Sequence, residues 1–173
     1  MSATPFTKIK QVAMVVRDCE ETAKRYYDDL GIGPWAFYTL DSRDNARDPH
    51  LRGEVVDHDF RVAKAMVGDV QMELIQPLRG ASIYVEHLAK HGEGLHHIAF
   101  DMQGRFANAR ARLIEKGYRE VQGGRVFDIA TYAYFDTDKA LASIMEIAVL
   151  DKNERLPEPE MTYPLITARL DRA

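Results

Sequence analysis

The chain predicts an α+β fold in which two tandem βαβββ repeats curve together into one half-open, cupped sheet. Three observations carry this. The order strand, helix, three strands runs from Lys8 to Gln76 and again from Leu95 to Leu150. Asp18 and the pair Asp101-Met102 each close a first strand just before a helix, and Gly31 and Gly117 each end that helix. The first and last strands of each repeat hold one polar residue in an apolar frame: Gln11, Glu73, His97 and Glu146. One such unit leaves an apolar face uncovered; two can bury it between them. The chain 1–173 is therefore expected to be one domain, with repeat one near 8–77, repeat two near 94–150 and a tail over 151–173.

Lys8 to Val16 alternates around Val12, Met14 and Val16 and reads as a strand. Asp18 suits the N-cap of a helix over Cys19 to Leu30, with Glu20 and Glu21 at its positive end. Gly31-Ile32-Gly33-Pro34 stops it, and Trp35 to Leu40 is an aromatic-rich strand. Asp41 to Gly53 has no period and reads as a surface loop. Glu54 to Val67 reads as one long strand, turned at Gly68-Asp69 into Val70 to Gln76, which Pro77 ends. Ala81 to Lys90 reads as a short helix and His91 to Gly94 as a turn.

The second repeat opens at Gly94-Leu95-His96-His97-Ile98-Ala99-Phe100-Asp101. Strand alternation puts His97 with Leu95, Ala99 and Asp101 on an open face, and His96 with Ile98 and Phe100 on a packed one. A helix follows from Arg105 to Lys116. Gly123-Gly124 breaks up a strand region over Arg119 to Phe127; Thr131 to Asp136 and Ala142 to Leu150 are the last two strands. Pro157, Pro159 and Pro164 mark a tail that wraps loosely or reaches a partner subunit.

Composition narrows the function. A net charge of -4 argues against a nucleic-acid surface. The lone Cys19 excludes an internal disulfide and any cysteine metal cluster within one chain. The polar start, Met1 to Thr7, is not expected to be a signal peptide, and no apolar run is long enough for a membrane span. A reducing, cytoplasmic setting is expected.

The four framed polar residues carry the chemistry. Gln11, His97 and Glu146 each have alanine two residues on, which leaves room for a ligand beside them. The intervening Val12, Leu74, Ile98 and Ile147 belong on the opposite face, against the helices. A carboxylate on an apolar strand is costly to bury unpaired. Glu73 and Glu146, at equivalent places in the repeat, need a common counter-charge, and a divalent cation supplies one. One imidazole, two carboxylates and an amide oxygen suit zinc, cobalt, nickel, manganese, iron or magnesium.

Three segments resemble the vicinal oxygen chelate superfamily, which includes glyoxalase I, methylmalonyl-CoA epimerase, extradiol dioxygenases and bleomycin-resistance proteins. They are Lys8 to Asp18, Val70 to Pro77 and Gly94 to Phe100, and the last is most similar to the epimerase-like branch. The resemblance covers roughly Lys8 to Leu150 and implies the glyoxalase-like fold. It also implies a metal held by Gln11, Glu73, His97 and Glu146, the same four residues. Gln11 stands where epimerases and dioxygenases usually carry histidine, so the set resembles that of zinc-type glyoxalase I and disfavours a ring-cleaving dioxygenase.

The activity that the resemblance implies is that of an isomerase or lyase removing a proton beside a carbonyl, epimerase-like first and glyoxalase I-like second. A metal-free binding protein of the bleomycin-resistance kind is the other class. The implied substrate is an acyl thioester or 2-oxo compound, and a homodimer is expected. Glu146 is the first candidate base, and Glu73 the second carboxylate of a glyoxalase-like site. Asp57 is the nearest match to the epimerases' second base. From composition, Trp35, Phe37, Tyr38, Tyr132 and Tyr134 are candidates for an aromatic pocket wall, one alternate set facing the cup. Arg52, Arg61, Lys64 and Arg125 are the candidate cations for a CoA tail, while His50, His87 and His91 are expected to be solvated.

Overall fold

A computed structural model of the chain describes residues 4–151 and 155–165. The first repeat comprises β1 (Ile9–Val15), α1 (Cys19–Leu30), β2 (Trp35–Asp41), β3 (Ala46–Leu51), β4 (Glu54–Val55), β5 (Asp59–Val67) and β6 (Val70–Arg79). After the linking α2 (Ile83–His91), the second comprises β7 (Gly94–Asp101), α3 (Phe106–Glu115), β8 (Glu120–Val126), β9 (Ala130–Phe135), α4 (Asp138–Leu141) and β10 (Ile144–Leu150). A last strand, β11 (Met161–Tyr163), closes the described chain. All strands join one curled sheet in the order β11-β2-β5-β6-β1-β7-β10-β9-β8-β3-β4.

The repeat is plain in this order. In each half the first strand pairs in parallel with the last, β1 with β6 and β7 with β10. At the centre of the sheet the halves meet along an antiparallel seam, β1 against β7, and at its edge β3 of the first pairs antiparallel with β8 of the second. Local signals set the helices as expected. The Asp18 side chain accepts from the Glu21 N–H at 2.9 Å, and left-handed Gly31 donates its N–H to the Tyr27 carbonyl.

Two helices cover the convex side, one per half. Cys19 and Ala23 of α1 pack with Trp35, Phe37, Ala63 and Leu74. Ala109 and Leu113 of α3 pack with Ala133, Phe135 and Ile147. Burial pushes the Cys19 thiol up to about 12, so it behaves as a small apolar group that donates to the Leu74 carbonyl. Leu74 and Ile147 thus lie against the helices as expected. Val12 and Ile98 instead face each other across the seam, half-buried and outside both clusters. The concave side is packed by Ala13, Val15, Tyr38, Leu40, Phe60, Val62, Ile75, Tyr132 and Tyr134, with Ile83 and Tyr84 brought in by α2.

Several boundaries differ from the sequence pattern. The stretch 41–53 is not only a loop: β3 lies within it and pairs with β8, the far edge of the other repeat. Its period is hidden because the pairing shifts register between Arg47 and His50, with Asp48 left-handed and Pro49 lacking an N–H. Gly123 and Gly124 do not break β8 but let β3 approach it. A Cβ at Gly123 would sit 2.8 Å from the His50 ring and 2.9 Å from the Tyr132 carbonyl oxygen.

The long strand expected over Glu54 to Val67 is interrupted. Val56 donates to the Pro49 carbonyl and His58 to the Ser42 hydroxyl, so β5 begins at Asp59. Gly80 makes room for that turn: at φ +80°, a Cβ there would lie 2.0 Å from the Asp57 carbonyl oxygen. His58 is fully buried against Phe60.

Part of the tail expectation falls on residues outside those described. Over 155–165 the tail docks on its own chain: β11 extends the sheet beside β2, and Glu160 accepts from the Thr39 N–H at 2.6 Å. Among the described residues, no helix is long and apolar enough to cross a membrane.

Candidate active site

The four polar residues marked by the sequence sit on four adjacent strands, β6, β1, β7 and β10, around the seam. Register fixes their relation. Ala13 lies opposite both Glu73 and His97, so these three form one row across the sheet. Gln11 lies opposite Gln71 and Ala99, and Ala99 lies opposite Glu146, forming the next row. Polar groups and alanines therefore alternate as on a chequerboard, and each donor has a small neighbour beside it. All four are buried: Gln11, Glu73, His97 and Glu146 expose 7, 5, 0 and 6% of their surface.

His97 Nε2 lies 3.1 Å from Glu146 Oε2 and 3.9 Å from Glu73 Oε2. Neither His97 Nε2 nor Glu146 Oε2 has a hydrogen-bond partner, although both are buried. Two buried polar atoms facing each other without a partner call for a proton or a cation between them. Neighbouring donors on one octahedral cation, each at about 2.1 Å, stand about 3 Å apart, close to this spacing. Gln11 donates Nε2 to Gln71 Oε1 at 2.9 Å, which fixes the sense of its amide and frees its own oxygen for a ligand. The residues present thus fit a divalent cation.

A β-bulge supplies the geometry of the two histidines. Pairing across the seam steps from Ala13 opposite His97 to Met14 opposite Leu95, so His96 is the extra residue. Alternation fails there. His96 and His97 both contact Tyr134, with ring centroids 6.3 and 4.9 Å apart, and Leu95 is exposed instead. His96 packs against Tyr84 and His87 of α2.

The cup encloses a cavity of about 140 Å³. Lys64, Tyr84, Tyr132 and Tyr134 line it together with Gln11, Glu73 and Glu146. Burial, then the nearby Glu146 carboxylate, pushes the phenols of Tyr132 and Tyr134 up, so both stay protonated. Tyr84 Oη donates to Tyr134 Oη at 2.9 Å.

Other candidates lie elsewhere. Trp35 and Phe37 belong to the α1 cluster on the convex side, because the alternate set facing the cup from β2 is Tyr38 and Leu40. Tyr132 and Tyr134 come from β9, the counterpart of β5 in the second half. Arg52 pairs with Glu86, Arg61 with Glu20 and Arg125 with Asp151. His50 is held by Glu120 at 2.9 Å rather than solvated, and His87 packs between His91 and, edge-to-face, His96.

Asp57 is not among the cavity residues. It is exposed on the turn before β5, where Arg79 and Ser42 hold it. The residue of β5 that faces Glu73 is Lys64, with Nζ 3.2 Å from Glu73 Oε1. Lys64 is thus an interior group rather than a cation at the mouth. Counting back along the Gly68-Asp69 hairpin would have found it.

Asp41, Asp57 and Asp59 place carboxylate oxygens within 4.8 Å of one another. Arg43 and Arg79 already supply the counter-charge there, with Arg79 reaching both Asp57 and Asp59. Hydrogen bonds from Arg43 hold Asp41, and those from Arg79 hold Asp57, well below the usual carboxylate range. A depressed folded-state pKa contributes stability above the unfolded pKa, near 4, and loses it as pH falls. Arg79→Ala should therefore lower the urea midpoint clearly at pH 7, and by a steadily smaller amount as the pH falls below about 4 toward the depressed folded-state range. A loss that stays the same across that whole range would show that Arg79 acts through packing alone.

A family model described as Glyoxalase/Bleomycin resistance protein/Dioxygenase superfamily matches residues 10–135. No curated protein matches the chain. Among solved structures, methylmalonyl-CoA epimerase from Mycobacterium tuberculosis is similar, with 19% identity, a TM-score of 0.65, and 87% of this chain and 92% of that one covered. A variant of the Streptomyces coelicolor methylmalonyl-CoA epimerase in complex with 2-nitronate-propionyl-CoA aligns with 21% identity and a TM-score of 0.59, covering 84% and 98%. A methylmalonyl-CoA epimerase in complex with methylmalonyl-CoA and NH4+ gives 21%, 0.60, 88% and 99%. At these identities the structures establish the fold alone. With its cupped sheet and a family model spanning most of its length, the chain belongs to the glyoxalase/bleomycin resistance protein/dioxygenase superfamily.

Proposed function

We propose that this protein is a metal-dependent isomerase or lyase that removes a proton from carbon beside a carbonyl, most similar in action to methylmalonyl-CoA epimerase. The observation that carries the reading is the facing pair His97 Nε2 and Glu146 Oε2, both buried and both without a hydrogen-bond partner. Gln11, Glu73, His97 and Glu146 would hold the cation. A divalent cation there would polarise a carbonyl oxygen and steady the negative charge that develops on it.

Glu146 is the base of this reading. One carboxylate oxygen takes the proton from the substrate carbon, and the pair of electrons left behind moves into the carbonyl group. Return of that proton by Glu146 restores the carbon; inversion needs a proton delivered to the opposite face, for which Glu73 is the second carboxylate lining the cup. Tyr132 and Tyr134 wall the cup beside Glu146 and exclude water. The 140 Å³ interior suits a short acyl group, with the remainder of an acyl thioester leaving through the open side.

A metal-free binding cup is the second reading, and Lys64 favours it. Its ammonium at 3.2 Å already offsets the charge of Glu73. Metal analysis of protein purified without added metal, followed by Co(II) titration, separates the two. The enzymatic reading expects about one cation per chain, and loss of binding by at least tenfold in Glu73→Gln. Protein that takes up no Co(II), Zn(II), Ni(II) or Mn(II) leaves only the binding cup.

A further inference from the structure

The tail lends the cup one side chain of its own. Arg155, Pro157 and Glu158 are exposed, while Leu156 between them turns inward. Leu156 lines the cavity and packs against the concave core, although it lies outside both repeats. The same cavity takes in Val126, Ala130 and Leu150, one row across the ends of β8, β9 and β10. Leu150 lies on the same strand as Glu146, about 13 Å further along at ~3.3 Å per residue. It is 36% exposed, so this row is the rim, and the buried polar donors lie below it. The rim and Leu156 together are apolar.

The tail is held at both ends. On one flank Asp151 donates its N–H to the Ile129 carbonyl at 2.8 Å. On the other, Glu160 donates its N–H to the Phe37 carbonyl at 2.9 Å, and its carboxylate accepts from the Thr39 hydroxyl at 3.0 Å. β11 then pairs with β2, and the Tyr163 hydroxyl donates to the Asp28 carboxylate at 3.1 Å. In the sheet, β7, β1, β6 and β5 separate β10 from β2. Leu156 therefore sits between two anchored points on opposite flanks of the cup, as a fixed piece of wall.

We infer that Leu156 is a specificity-determining residue: it caps the subsite for the acyl chain, so that the cup takes a short acyl group and refuses a longer one. The inference rests on the proton-abstraction reading proposed above and names the substrate class within it. An apolar wall selects by size, and one methylene without room costs about 10–200-fold in kcat/KM.

The test compares wild type with Leu156→Ala and Leu156→Phe. The substrates are N-acetylcysteamine thioesters from propionyl to octanoyl, followed by α-proton exchange in D2O. Leu156→Ala should raise kcat/KM for hexanoyl relative to propionyl by about 10–200-fold, and Leu156→Phe should lower butyryl relative to propionyl by about tenfold or more. Leucine-methyl NMR gives a readout that needs no turnover. The Leu156 methyl signals, identified by their loss in Leu156→Phe, should shift when the propionyl thioester is added. Should Leu156→Ala fail to fold, the wild-type spectrum and Leu156→Phe still decide. The same chain-length profile in all three proteins overturns the inference, as do Leu156 methyls that stay still while the thioester shifts other signals of the cup. A wild type that exchanges no α-proton but whose Leu156 methyls respond removes the proposed reaction and leaves the wall assigned. Thioesters that neither exchange nor shift any signal remove both.

Discussion

Glu146→Gln should slow exchange of a substrate α-proton with solvent by about 10²–10⁴-fold, the usual worth of a positioned general base. The change keeps the shape of the side chain and removes its basicity. Glu146 is 6% exposed, and Tyr134 stands opposite it on β9, so the glutamine has one place to sit. The fold should survive, because the wild-type Oε2 makes no hydrogen bond that the amide would break. Deuterium uptake from D2O, followed over short acyl thioesters and hemithioacetals, reads the effect directly. Cation affinity should weaken as well, since a carboxylate donor becomes an amide. A variant exchanging at the wild-type rate would remove Glu146 from the chemistry, and a wild type inert toward the whole panel would remove the reaction.

The largest stability effect should come from the convex side. Trp35→Ala should cost about 3–5 kcal/mol, the range for deleting a fully buried aromatic ring. Trp35 is completely enclosed, 5.7 Å from the Tyr26 ring, and its Nε1 donates to the Ile32 carbonyl at 2.7 Å. The ring joins α1 to β2 and anchors the first helix to the sheet. Urea unfolding of both proteins gives the difference. Because Trp35 lies across the sheet from the cup, folded Trp35→Ala should bind Co(II) like wild type. A loss below about 1 kcal/mol would mean that the cavity closes by rearrangement.

The same residue shows where sequence reasoning stops. Alternation within β2 separates Trp35 and Phe37 from Tyr38 and Leu40, but it does not say which set meets the helix. Tyr132 and Tyr134 were legible as a concave wall because Glu146 fixes the inner face of the strand beside them. The four candidate donors were legible for a related reason. Each is a polar residue in an apolar strand, and the repeat puts them at equivalent places. Lys64 is hidden because the apolar pattern runs unbroken from Glu54 to Val67, which favours Asp57 over the residue that faces Glu73 once β5 begins at Asp59. His96 was assigned by strict alternation, which a single extra residue in β7 breaks. The strand at 46–51 left no period to read, since edge pairing with a proline and a register shift needs none.

The antiparallel seam has one more effect. Gln11 and Glu73 belong to the first half of the polypeptide, His97 and Glu146 to the second, and only the β1–β7 ladder joins those strands. A guest that engages all four side chains therefore acts as a clasp between the halves. It would raise the melting temperature with the logarithm of its concentration, and two separately expressed halves would associate more tightly in its presence than in its absence.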